Sequence, residues 1–149
     1  MKRIYFSFAL IAILALHSCE RHEEHQHEDH AHEAVCITQF GNNYELFMEF
    51  DPLVEGDTSN FIIHLTRLAD YKPLANKAIV LEISGPGHNR QLIEQPKQAG
   101  IYLANCIPQK AGNAVISIFV GNPDIADVFI IKDIQIHENE QAIRSHEPG

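Results

Sequence analysis

From Ala34 onward the chain is a series of short apolar runs broken by turn formers. "AVCITQF" leads into the turn Gly41-Asn42-Asn43 and then into "YELFMEF", after which Pro52 to Ser59 reads as a loop. "NFIIHLTRL" places Phe61, Ile63 and Leu65 on one face and Ile62, His64 and Thr66 on the other, the two-residue period of a strand. The turn-rich "ADYKPLANK" follows, then "AIVLEIS", the turn Gly85-Pro86-Gly87 and the polar strand "NRQLIEQ". "GIYLANCIP" alternates around Tyr102, and "GNAVISIFV" alternates Val115 with Ser117 and Phe119 before Gly121-Asn122-Pro123-Asp124. The longest run, "DVFIIKDIQIHE", has Phe129, Ile131 and Ile134 among its apolar positions. No segment holds a helical period over three turns. Roughly seven or eight strands at intervals of about 8–16 residues predict an all-β fold. The expected architecture is an antiparallel β-sandwich of immunoglobulin or fibronectin type over residues 34–138, with a barrel as the lesser alternative. Residues 139–149, "NEQAIRSHEPG", are expected to form an unstructured C-terminal tail.

The N-terminus follows a different rule. Lys2 and Arg3 precede an apolar run from Ile4 to Leu16. That run falls short of the roughly 20 residues a spanning helix needs, but it suits the core of a secretory signal over residues 1–18. It ends in Leu16-His17-Ser18-Cys19, which resembles a bacterial lipobox with an unusual histidine. The resemblance implies that Cys19 is the lipidated first residue of the mature chain, held to a lipid bilayer by its acyl groups. That places the protein in the cell envelope, on the periplasmic or outer-membrane side.

Composition narrows the choice. Removing residues 1–18 takes away two of the eleven Lys+Arg and none of the twenty Asp+Glu, so the formal charge moves from −9 to −11. Such a surface repels nucleic acid and concentrates cations. Cys36 and Cys106 remain after lipidation, and two readings stay open for them. One is a disulfide closing a loop of about 70 residues, worth about 4 kcal/mol in the chain-entropy account; the other is two separately buried thiols.

The strongest chemical signal is "HEEHQHEDHAHE", residues 22–33. His22, His25, His27, His30 and His32 stand among Glu23, Glu24, Glu28, Asp29 and Glu33. Neutral imidazole ligates zinc, copper(II), nickel and cobalt, and carboxylates add charge and oxygen donors. The segment has too few apolar residues to build a core, so residues 19–33 are expected to be a disordered, lipid-anchored tail. A flexible tail with many equivalent ligand sets predicts exchangeable, micromolar-type capture of a divalent transition metal, zinc foremost. The alternative is a hydrophilic spacer. His64, His88 and His137 are isolated and are expected to be structural or surface residues. With no phosphate loop, nucleophile elbow, CxxC pair or HExxH helix, a non-enzymatic protein is expected.

Residues 44–84, "YELFMEFDPLVEGDTSNFIIHLTRLADYKPLANKAIVLEIS", and residues 99–112, "AGIYLANCIPQKAG", carry a family resemblance. With the lipobox and the histidine-rich segment, they resemble the N-terminal accessory region of cobalt-zinc-cadmium-type periplasmic adaptors. These membrane-fusion subunits serve resistance-nodulation-division efflux pumps. The resemblance covers most of 22–137 and is most specific from Tyr44 to Pro73. It implies a link to heavy-metal efflux, with an efflux complex as partner. Such adaptors continue into a helical hairpin, a lipoyl-like domain and a barrel, whereas this chain ends at Gly149. The expectation is therefore a detached accessory domain or a truncated adaptor. A rival from another class is an immunoglobulin-like surface or periplasmic protein-interaction module, with the tail as its spacer.

Overall fold

The computed structural model describes residues 33–121 and 126–144. In chain order, the described strands are β1 Val35–Phe40, β2 Tyr44–Phe50, β3 Leu53–Val54, β4 Ser59–Arg67 and β5 Ile79–Ser84. They are followed by β6 His88–Ile93, β7 Ile101–Cys106, β8 Gly112–Val120, β9 Asp127–His137 and the short helix α1 Glu140–Arg144. A four-stranded sheet in the order β1-β2-β4-β7 and a five-stranded sheet in the order β3-β9-β8-β5-β6 form a β-sandwich. The expected all-β fold is therefore present.

Alternation explains why these segments become strands. In β2 the side chains of Tyr44, Leu46, Met48 and Phe50 are buried, and Glu45, Phe47 and Glu49 between them are not. β4 does the same with Phe61, Ile63 and Leu65, and β8 with Ala114, Ile116, Ile118 and Val120. The inner faces meet in one apolar core that also takes Leu81, Tyr102 and Phe129. Every core residue lies between Tyr44 and Ile136, so this stretch carries its own core. The Tyr102 hydroxyl, fully buried, donates to the Lys77 carbonyl at 2.9 Å, which satisfies the one polar atom it brings inside.

Two expectations need correction, and the question left open for the two cysteines is answered. The sandwich is not wholly antiparallel, because β3, inside the segment expected to be a loop, pairs in parallel with β9 at Leu53–Ile136 and Val54–His137. The segment 139–149 is not structureless throughout. Asn139 caps α1, its side-chain oxygen accepting from the Ala142 amide at 3.1 Å, and Ile143 is buried. No disulfide joins Cys36 and Cys106; both are free thiols. They lie on β1 and β7, the opposite edges of the four-stranded sheet. Three inter-strand spacings separate them by about 14 Å across the sheet, and Cys106 lies three residues further along β7 than Leu103, the residue in the row of Cys36, whereas a bridge needs Cα atoms within about 7 Å. Cys36 faces solvent and Cys106 faces the core.

Two local devices fix the strand ends. β9 carries one extra residue against β8, since Ala114 pairs with Ile134 and Ile116 with Ile131. Asp133 takes a left-handed φ of 60° in this bulge, which returns Ile134 and Ile136 to the core side. At the other pole the β1–β2 turn closes on the carboxylate of Asp127, which is 4% exposed. One oxygen, Oδ2, accepts from the amides of Asn43 at 2.7 Å and Tyr44 at 2.9 Å. The other, Oδ1, accepts from the Asn42 amide at 3.3 Å and the Asn43 side-chain amide at 3.2 Å. One buried charge thereby ties the β1–β2 turn to the start of β9.

Candidate functional site

Most of the residues singled out for metal capture fall outside the described residues. These are His22, His25, His27, His30, His32, Glu23, Glu24, Glu28 and Asp29, together with Cys19. Glu33 is described, exposed two residues before β1. The isolated histidines are dispersed: His64 is on β4 in the four-stranded sheet, while His88 and His137 are on β6 and β9 in the other. Among the described residues no group of three or more His, Cys, Asp or Glu side chains is placed to hold a metal ion.

What the fold does assemble is the outer face of the four-stranded sheet. Register places the side chains in rows across the strands. One row reads Thr38, Phe47, His64, Ile101, and the next reads Cys36, Glu49, Ile62, Leu103. A third row, Phe40, Glu45, Thr66, lies toward the turn pole, and Asn60 with Asn105 closes the opposite side. Ile62 and Leu103, direct cross-strand neighbours, are 38% and 48% exposed. The Phe47 and His64 rings lie 5.5 Å apart, centroid to centroid, and Ile101 completes an apolar centre. Among these thirteen outward positions stand two carboxylates, Glu45 and Glu49, and no lysine or arginine.

The outer face of the five-stranded sheet differs. It has an apolar row, Leu92, Val80, Phe119, Val128, but its charges are mixed. Arg90 pairs with Glu82 and stacks over the Phe119 ring at 5.6 Å, and Lys132 is exposed on β9 of the same sheet.

No family model, curated protein or solved structure matches the chain. The residues themselves therefore carry the functional argument.

Neither described thiol is set up as a nucleophile in a catalytic constellation. Burial pushes the Cys106 thiol up to about 11, so at neutral pH it stays protonated within the core. Burial, with the neighbouring Tyr44 second, also raises Tyr102 above its ordinary value. In a native chain of residues 20–149, Cys36 should react with a thiol reagent such as dithionitrobenzoate within minutes. Cys106 should react only after denaturation. One fast and one masked thiol is the expected titration; two masked thiols that appear only under reduction would contradict the separation described above.

Proposed function

We propose that the protein is an extracytoplasmic lipoprotein that captures divalent transition metals with its histidine-rich tail. The observation that supports this reading is the density of ligands in one short segment: five histidines and five carboxylates within residues 22–33. Cys19 would be the lipidated anchor. His22, His25, His27, His30 and His32 would supply nitrogen ligands, and Glu23, Glu24, Glu28, Asp29 and Glu33 would add charge. The β-sandwich begins at Val35, directly after this segment, and serves as a rigid mount and a protein-contact body. Heavy-metal efflux is the process that the adaptor resemblance suggests, with an efflux complex as the acceptor.

Calorimetric titration of zinc, then nickel and copper(II), tests the reading in residues 20–149 and in residues 34–149. The long form should bind in the micromolar range at neutral pH, and the short form should fold without binding. Affinity should fall as pH drops below about 6.5, because protonated imidazole is no ligand. Zinc affinity that survives the deletion would move the site into the sandwich. No binding by either form would leave the tail as a spacer and favour the protein-interaction reading.

A further inference from the structure

We propose that the outer face of the four-stranded sheet docks a basic, apolar segment of a protein partner. The proposal rests on the reading of the sandwich as a protein-contact body and is independent of metal capture by the tail. Phe47, Ile62, Ile101 and Leu103 gather on adjoining cross-strand positions of β2, β4 and β7. Solvated sheet faces ordinarily alternate apolar-in with polar-out, and here four large apolar side chains point outward together. Ile62 and Leu103 are exposed, with Phe47 and Ile101 half-buried beside them, and an apolar patch on a sheet face is a mark of an interaction site.

Charge selects the occupant. Glu45 and Glu49 flank Phe47 on β2, and no lysine or arginine stands on the face to balance them. Arg67, at the end of β4, is held by Asp70 at 2.8 Å. A partner segment that alternates Lys or Arg with aliphatic residues would match both the apolar centre and the two carboxylates. A second copy of this chain would not. Face-to-face pairing would bring four carboxylates, Glu45 and Glu49 of each copy, into one interface with no lysine or arginine to balance them, on chains already strongly acidic.

Area points the same way. Three strand gaps of about 4.8 Å and three row gaps of about 6.7 Å give a footprint of roughly 300–500 Å². A standard stable interface buries about 800 Å² on each partner. The face is about half that size, which fits reversible docking of a segment rather than a permanent dimer.

The test uses the mature chain labelled with ¹⁵N and two synthetic ten-residue peptides, one alternating Lys with Val and one alternating Glu with Val. The lysine peptide should shift the amides of β2, β4 and β7 and bind about tenfold more tightly than the glutamate peptide. Its affinity should fall severalfold when salt rises from about 50 to 300 mM, and again with Glu49→Lys or with Leu103→Ser. Shifts centred on Leu92, Val80, Phe119 and Val128 would overturn this face while leaving a contact body elsewhere on the sandwich. Equal binding of the two peptides would overturn the charge argument. The absence of binding to either peptide would overturn both this face and the contact-body reading. Concentration-dependent sedimentation accompanied by broadening of the β2 and β4 amides would identify a second copy as the occupant.

Discussion

Asp127→Ala should lower stability by about 3–4 kcal/mol, the larger of two strong effects expected for single substitutions in the sandwich. The carboxylate accepts four hydrogen bonds, three from consecutive backbone amides and one from the Asn43 side chain. Alanine leaves those donors without acceptors, and the Tyr44 amide is buried. Charged hydrogen bonds contribute about 1.5–3 kcal/mol each, and re-solvation of the exposed donors on Asn42 and Asn43 offsets part of the sum. Asp127→Asn should fall between the two, because one oxygen is kept while an NH2 group faces donors. Urea unfolding measures all three proteins. A useful control is Gly41→Ala, whose new methyl would sit 2.5 Å from Oδ2 of Asp127. It should destabilise the wild type clearly and the Asp127→Ala background much less, since Oδ2 and Cγ are gone and only the Cβ of residue 127, at 3.2 Å, remains close. Equal costs in both backgrounds would show that the turn and β9 are not coupled through this carboxylate. Loss of the lock should also loosen the Phe40–Glu45 row of the outer face.

Gly100→Ala should cost about 2–4 kcal/mol, seen as a fall of roughly 10 °C in Tm. Gly100 is buried with φ at +80°, a conformation that L side chains rarely adopt. Its amide donates to the Leu74 carbonyl at 2.7 Å, and its carbonyl accepts from the Leu65 amide at 2.9 Å. The approach to β7, the end of β4 and the segment carrying Leu74 therefore meet at one residue. A Cβ there would lie 2.6 Å from Cβ of Pro73 and 3.2 Å from the Leu65 carbonyl oxygen. Adding Pro73→Gly should recover the part of the loss that comes from the Pro73 contact, and leave the part that comes from φ. A neutral Gly100→Ala would mean that this junction relaxes without strain.

Much of the fold was legible because alternation reports directly on burial. "YELFMEF" and "GNAVISIFV" coincide with β2 and β8 at both ends. β3 was not legible, since two residues cannot show a period and its partner lies more than eighty positions away. α1 escaped because five residues rest on one cap and one buried isoleucine, too little for a helical pattern. The outer face was legible in part: Ile62, His64 and Thr66 share a side of β4 by parity alone. That Leu103 and Glu49 flank Ile62 depends on the strand order β1-β2-β4-β7, which parity does not contain. The same order separates Cys36 from Cys106, and the meeting of the two sheets brings Asp127, on β9, to a turn some 84 residues earlier in the chain. Long-range pairing, rather than local propensity, is what sequence reasoning missed.

The chain enters the sandwich at Val35, so under the proposed lipid anchorage and docking any tension on the N-terminal segment would arrive first at β1. Pulled along its axis, β1 loads its whole ladder with β2, from Val35–Phe50 to Phe40–Glu45, in shear rather than peeling it bond by bond. The far end of that ladder is the turn fastened by Asp127. The buried carboxylate is then a mechanical rivet, and the force at which the tether tears β1 away should drop when it is removed.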